Sequence, residues 1–96
     1  MQLFIFIRFH ACEGREDDVA AAIRDVIVPS RAEPGCAAIE AFRATRDKRL
    51  FYIHSRWIDE AAFEIHAGFP HTVQFIARVQ QLVDHPVEVV RTKPLG

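Results

Sequence analysis

The chain has 96 residues, half of them hydrophobic, and a formal net charge of −1. This balance is typical of one globular domain, predicted to span residues 1–96, and it argues against a disordered or fibrous protein. The net charge is too small to attract nucleic acid or an anionic membrane, and no run of about 18 apolar residues is present to span a bilayer.

The apolar N-terminus is interrupted by Arg8 and His10 and has no basic region before it, so it is interpreted as a strand and not as a signal peptide. The two cysteines, Cys12 and Cys36, form neither a close pair nor a metal motif. A reducing compartment suits such cysteines, and we therefore expect a cytoplasmic protein.

The first half of the chain predicts a strand, a helix and a second strand. Residues 3–9 are rich in aromatic and β-branched side chains, and both faces of this strand are largely apolar. Acidic residues at 16–18 suit the first turn of a helix, which Pro29 is expected to end or kink. The Pro34-Gly35 turn then leads into a strand over 36–44.

The second half predicts a strand, a broken helix and a last strand. A polar connection precedes the strand over 50–57, and Asp59 is a good N-cap for a short helix that ends at Gly68. Pro70 suits the first position of another helix, which Pro86 is expected to stop. Valines at 87, 89 and 90 predict the final strand.

This order of elements is the split βαβ pattern (βαββαβ) of the ferredoxin-like fold. It predicts an α+β domain with a four-stranded antiparallel sheet that carries its helices on one face. The other face then bears the second apolar set of the first strand, and such a face is rarely left in water. A second copy of the chain, packed sheet against sheet, is the simplest cover, so we expect a homodimer.

Several short motifs follow one another along nearly the whole chain. They are the FHACEG segment at 9–14, Pro34-Gly35-Cys36 followed by Glu40, the strand over 51–57, and Ala61, Phe63, His66, Pro70 and His71. In this order and spacing they resemble the antibiotic biosynthesis monooxygenase (ABM) family. The resemblance implies a dimeric α+β barrel with a small pocket between sheet and helices in each subunit.

The resemblance also implies a range of activities. Members of the family include monooxygenases that oxidise phenols or hydroquinones to quinones without metal or flavin, haem-degrading enzymes, and proteins that process small signalling molecules. The characteristic residues of the haem-degrading branch fall here at Ile7, His66 and Ile76, and none matches. Ser55 stands where the family pattern has Glu, so either the substrate is held differently or the activity has been lost.

The leading hypothesis is therefore a cofactor-independent monooxygenase that oxidises a small phenol or hydroquinone to a quinone with O₂. Two alternatives stay open, a non-catalytic dimer that binds a small molecule and a cofactor-free isomerase of a small carbonyl metabolite. No kinase-like or α/β-hydrolase motif is present to support a different reaction.

The candidate catalytic residues are His66 and His71. His66 follows Phe63 by three positions, which puts it near the buried stripe of the short helix, where an imidazole can take a phenolic proton. Its alternative role is that of a core histidine bonded to a backbone carbonyl. His71 follows Pro70 at a helix start, where the dipole disfavours a cation, and it is either a second proton-transfer group or a surface residue.

The candidate substrate-binding residues are Trp57, Arg8 and His54. The Trp57 ring can stack on a flat substrate while its N–H anchors an oxygen, or it can be a core aromatic. Arg8 can bind a phenolate or pair with an acid at the dimer interface. His54 lies between Tyr52 and Arg56 on one strand face, from which it can line a pocket.

Five histidines raise the question of a metal site. His66 and His71 are five positions apart with Pro70 between them, unlike the i, i+4 pair of a continuous metal-binding helix. No Asp or Glu lies at ligand spacing beside them. The spacing therefore predicts no metal ion, and the family resemblance implies no other cofactor.

Overall fold

The computed structural model describes all the residues, Met1–Gly96. Its elements are, in chain order, β1 (Leu3–His10), α1 (Glu16–Arg31), β2 (Cys36–Arg43), β3 (Leu50–Trp57), α2 (Glu60–Gly68), α3 (Pro70–Val79) and β4 (Glu88–Thr92). The strands form one antiparallel sheet in the order β2-β3-β1-β4. This is the predicted ferredoxin-like arrangement. None of the helices combines the length and the apolar character that a membrane span requires.

Helix α1 continues to Arg31, so of the two predicted effects of Pro29, an end or a kink, the end does not occur. The proline lies in the last turn, where its missing N–H costs only the one backbone bond to the carbonyl four residues earlier. Ser30 strengthens the same turn, because its hydroxyl donates to the Val26 carbonyl at 2.7 Å. The helix therefore reaches the turn that leads into β2.

Helix α3 ends at Val79, well before Pro86, so the proline is not what stops it. The chain beyond the helix bonds to the end of β1 instead. The Cys12 amide donates to the Leu82 carbonyl, and the Asp84 amide donates to the His10 carbonyl. These bonds replace helical ones, and Leu82 still packs on the core, as its place in the apolar stripe had indicated.

Phe69 separates α2 from α3. Asp59 caps α2 by accepting a bond from the Ala62 amide at 2.8 Å, as predicted. Phe69 is extended, which is the backbone region that a residue before proline prefers, and it joins the end of α2 to Pro70. The chain therefore turns between His66 and His71.

The two faces of the sheet differ in cover. On the inner face, Ile5, Phe9, Ile53 and Trp57 are buried beneath the helices. The outer face is defined by the alternate residues of the four strands, and 47% of Phe6 is exposed at its centre. Large apolar side chains of β2, β3 and β4 are also exposed there, namely Phe42, Tyr52 and Val90.

Candidate functional site

Three side chains from separate elements meet beneath the helices. Glu33 comes from the turn after α1, His66 from α2 and His71 from the first turn of α3. Both rings contact the same carboxylate oxygen, His66 Nδ1 at 2.7 Å and His71 Nε2 at 2.8 Å from Glu33 Oε2. Glu33 and His66 are each 8% exposed, whereas His71 is only partly buried. We call these three residues the Glu-His-His cluster.

Gly35 allows α2 to pack closely against the turn that carries Glu33. A Cβ placed on Gly35 would lie 2.4 Å from the Ala62 Cβ, a distance that no packing tolerates. Its carbonyl also accepts a bond from the Ile58 amide at 3.0 Å, which fixes the entry into α2. The absence of a side chain thus lets α2 pack against the turn that carries Glu33, and His66 reaches the carboxylate.

The cluster sets the tautomer of His66. An ionised carboxylate can only accept, so Nδ1 must carry the proton that Glu33 receives. In the neutral ring the other nitrogen, Nε2, then holds a lone pair. Nε2 has no hydrogen-bond partner within the chain, since the contacts of this ring to Glu33 and Thr72 are both made through Nδ1. A histidine base oriented by a carboxylate in this way is a typical arrangement in general-base catalysis.

Trp57 covers the ring of His66. The two ring centroids are 4.4 Å apart with an interplanar angle of 33°. Trp57 is fully buried, and its indole N–H donates to the Ser55 hydroxyl oxygen at 3.0 Å. Trp57 therefore packs against the His66 imidazole and is hydrogen-bonded to the Ser55 hydroxyl.

A cavity of about 270 Å³ lies between the inner sheet face and the helices. We call it the inner cavity. His66 and the hydroxyl-bearing residues Ser30, Ser55 and Thr72 line an otherwise mostly apolar wall, and the apolar residues are Ile7, Val26, Ile39, Ile53, Phe63, Ala67, Phe75, Ile76 and Val89. Such a mostly apolar cavity with few polar groups is typical of a small-molecule site.

The predicted site residues divide between the two faces of the sheet. His66 and Ser55 line the inner cavity, Trp57 contacts both, and His71 reaches His66 through Glu33. Arg8 lies on the outer face, where it pairs with Glu88 at 3.5 Å.

His54 also lies on the outer face, with its ring 4.8 Å from that of Phe6. Neither Arg8 nor His54 lines the inner cavity. Their predicted contact with a substrate would therefore need a ligand on the other side of the sheet.

Sequence reasoning missed Glu33. It lies 33 positions before His66 and 38 before His71, so no local spacing joins it to either ring. The only signal was its place directly before the Pro34-Gly35 turn. No acidic residue lies at ligand spacing along the sequence, yet in space Glu33 bonds to both histidines.

Two groups of side chains have the composition of a metal site. The donor atoms of the Glu-His-His cluster lie within 4.8 Å of one another, and so do those of His10, Asp84 and His85. In both groups the ring nitrogens already bond to one carboxylate oxygen. The donors thus satisfy each other, and a cation would have to break these bonds to bind.

Comparisons with known proteins agree with the geometry. The sequence model of the family described as "Antibiotic biosynthesis monooxygenase" matches residues 3–78. Over 81 residues the chain is 33% identical to the Bacillus subtilis protein named "Putative monooxygenase YcnE", an alignment that covers 84% of each chain.

Solved structures of two further proteins superpose closely. The structure of Rv0793 from Mycobacterium tuberculosis gives a TM-score of 0.94 at 26% identity and covers 100% of this chain and 97% of that one. The structure of PA3566 from Pseudomonas aeruginosa gives 0.92 at 27% identity and covers 99% of this chain and 95% of that one.

Proposed function

Because the chain belongs to the antibiotic biosynthesis monooxygenase family, we propose that it is a cofactor-independent monooxygenase that oxidises a small phenol or hydroquinone to a quinone with O₂. One observation carries the proposal: His66, held by Glu33 through Nδ1, lines a mostly apolar cavity. The base and the substrate space are therefore side by side.

His66 acts first, as the general base. The phenolic O–H bond breaks, and its proton moves to Nε2 of His66. The imidazolium that forms is stabilised by the Glu33 carboxylate, 2.7 Å from Nδ1. His71 donates to the same oxygen at 2.8 Å and so helps to hold the carboxylate in place.

The phenolate then reacts with oxygen. An electron-rich phenolate passes an electron to O₂ more readily than the neutral phenol does. With a phenol, one oxygen atom becomes the second carbonyl of the quinone, and the other leaves as water together with the two hydrogens that the phenol loses. A hydroquinone already carries both oxygens, so it transfers two electrons and two protons to O₂, which leaves as hydrogen peroxide. An apolar cavity keeps bulk water from the intermediates.

The inner cavity limits the size of the substrate. Its volume of about 270 Å³ exceeds that of the roughly 150 Å³ cavity known to bind benzene. A substrate of one or two fused rings therefore fits, and a large polycyclic one does not. Apolar walls favour an uncharged aromatic body over a polar metabolite.

We also propose that the chain acts as a homodimer, with the outer sheet faces in contact. The central position of Phe6 and its 47% exposure support this arrangement, because an apolar patch there gains most from cover. Arg8 and His54 would then lie at the interface. O₂ and the aromatic substrate are the small-molecule partners in this scheme.

The test is oxygen consumption by metal-stripped protein with a panel of hydroquinones, phenols and naphthols. We expect uptake and quinone formation by the native chain, and a loss of about 10²-fold or more in His66→Ala, the range that removal of a general base gives. Glu33→Gln should show a smaller loss, since the amide still accepts from Nδ1 but carries no charge.

His85→Ala is the matched control, because His85 is exposed and bonds only to Asp84. Its oxygen uptake should equal that of the native chain. No uptake with any member of the panel would contradict the oxygenase and favour a binding protein. Solvent deuterium in recovered carbonyl compounds would favour an isomerase instead.

A further inference from the structure

The Ser55 hydroxyl is buried, and it donates no hydrogen bond within the chain. Ser55 is 2% exposed, and its oxygen accepts the indole N–H of Trp57 at 3.0 Å. It donates to no atom of the chain, although a hydroxyl can donate once and accept twice. Because Ser55 lines the inner cavity, a ligand there is the partner that its proton can reach.

Ser30 shows that this is not a general property of the cavity hydroxyls. Ser30 also lines the inner cavity and is fully buried, but its proton is already donated to the Val26 carbonyl at 2.7 Å. Thr72 contacts His66 Nδ1 at 3.3 Å. Because Nδ1 carries a proton, the Thr72 oxygen can only accept there, and Thr72 also keeps its own proton. Ser55 differs from both in that the indole N–H of Trp57 holds its oxygen while its proton stays free.

Trp57 also joins Ser55 to the proposed base. One tryptophan side chain bonds to the Ser55 oxygen and stacks on the His66 ring at 4.4 Å. A hydroxyl that accepts a bond becomes a better donor, because successive hydrogen bonds polarise one another. The inner cavity is therefore lined both by His66, whose Nε2 holds a lone pair, and by a strengthened hydroxyl donor.

We propose that Ser55, supported by Trp57, binds the oxygen on which negative charge develops, so that the inner cavity selects ligands bearing an acidic hydroxyl and holds them as oxyanions. A phenolic oxygen donates its proton to His66 Nε2 while it accepts the Ser55 O–H. The O–H bond of the ligand breaks, an N–H bond forms, and Ser55 keeps its own proton. Two charges result, the oxyanion beside Ser55 and the imidazolium beside Glu33.

This inference rests on the proposed function for the role of His66, but its test needs no turnover. The probe is 4-nitrophenol, whose phenolate absorbs visible light and whose phenol does not. Absorbance titration of the protein-bound dye gives its pKa directly. We expect the native chain to bind the dye with its pKa below the value in water, because both His66 and Ser55 stabilise the bound anion.

Ser55→Ala should raise the pKa of the bound dye by about one unit, a tenfold change in its ionisation, which is the effect of losing one hydrogen bond to a charged group. Ser55→Thr keeps a hydroxyl and should restore the native value. Trp57→Phe keeps an aromatic ring but lacks the N–H, and it should raise the pKa by less than Ser55→Ala does.

Ser30→Ala is the matched control within the same cavity, and we expect it to move the pKa of the dye by far less than Ser55→Ala. Equal shifts from the two serine variants would overturn the proposal, as would a native chain that does not bind the dye or binds it with an unchanged pKa. An altered dye pKa without oxygen uptake would retain the oxyanion site while contradicting the oxygenase.

Discussion

At the scale of single residues, Asp84 is the most heavily bonded acid of the chain. Its Oδ1 accepts from His10 Nδ1 at 2.7 Å and from His85 Nδ1 at 2.6 Å, and its Oδ2 accepts from Arg49 at 2.6 Å. The hydrogen bonds from His10 and His85 lower the pKa of Asp84 from 3.8 to about 2. Asp84 therefore ties the end of β1 to the start of β3 and to the segment after α3.

We expect Asp84→Asn to change how stability depends on pH. The pKa of Asp84 is depressed in the folded chain, so its contribution is complete above about 3.8 and is lost as pH falls toward about 2. The native chain should exceed the variant in unfolding free energy at pH 5, and the difference should shrink toward pH 2.5. Urea unfolding at these two pH values measures it.

Asp17→Asn is the control for that experiment, because Asp17 lies in the first turn of α1 and has no side-chain partner. Its difference from the native chain should change much less between the two pH values. A constant difference between Asp84→Asn and the native chain would contradict the role given to Asp84.

The residue scale also shows where sequence reasoning stopped. It identified His66 from its helical spacing to the buried stripe, His71 from its place at a helix start, and Trp57 from its place at a strand end. It missed Glu33, because that contact depends on how closely α2 packs against a distant turn. Glu33 lies 33 positions before His66, so their contact depends on tertiary packing and cannot be predicted from the periodicity of the sequence.

At the scale of elements, the close packing of α2 depends on Gly35. Most boundaries followed from local chemistry, such as the Asp59 cap and the Gly68-Phe69-Pro70 break. At Pro29 the helix does not end, and the Ser30 hydroxyl bonds to Val26 in the same turn. The end of α3 was predicted wrongly, because the chain after Val79 makes long-range bonds to the end of β1 that no local signal indicates.

We expect Gly35→Ala to destabilise the chain by about 1–3 kcal/mol, the usual cost of forcing extra volume into a packed contact. The new methyl group would have to displace Ala62, and α2 with it. Chemical denaturation measures the change. The same shift should move His66 away from Glu33 and lower any oxygen uptake.

Gly68→Ala is the matched control, since a Cβ at Gly68 meets nothing within 4 Å and its φ is not positive. It should leave stability unchanged or slightly raised, because alanine favours the helical state over glycine. Equal destabilisation by the two variants would show that close packing at Gly35 is not the cause.

At the scale of the whole molecule, the sheet has one covered and one open face. The sequence predicted this asymmetry, because β1 is apolar on both sides whereas both crossovers place their helices on one side. Arg56 illustrates the open face, where its guanidinium lies 6.0 Å from the centre of the Phe4 ring. A surface that mixes aromatic rings with arginines resembles the composition of protein interfaces.

We expect the chain to be dimeric at micromolar concentration and Phe6→Lys to be monomeric, because two like charges would meet at the centre of the interface. Sedimentation velocity distinguishes the two states. Circular dichroism should show that the variant keeps its fold.

Ile65→Lys is the control, since Ile65 is a similarly exposed apolar residue on α2, away from the outer sheet face. It should remain dimeric. A Phe6→Lys variant that stays dimeric would move the interface elsewhere.

The contact between Trp57 and His66 has a practical consequence. The chain has one tryptophan, and its ring is fully buried against the proposed base, with its N–H on Ser55. Tryptophan fluorescence therefore reports on one position, next to His66 and Ser55, which both line the inner cavity. We expect ligand entry and protonation of the neighbouring imidazole to change this emission, so rapid kinetics can be followed without a label.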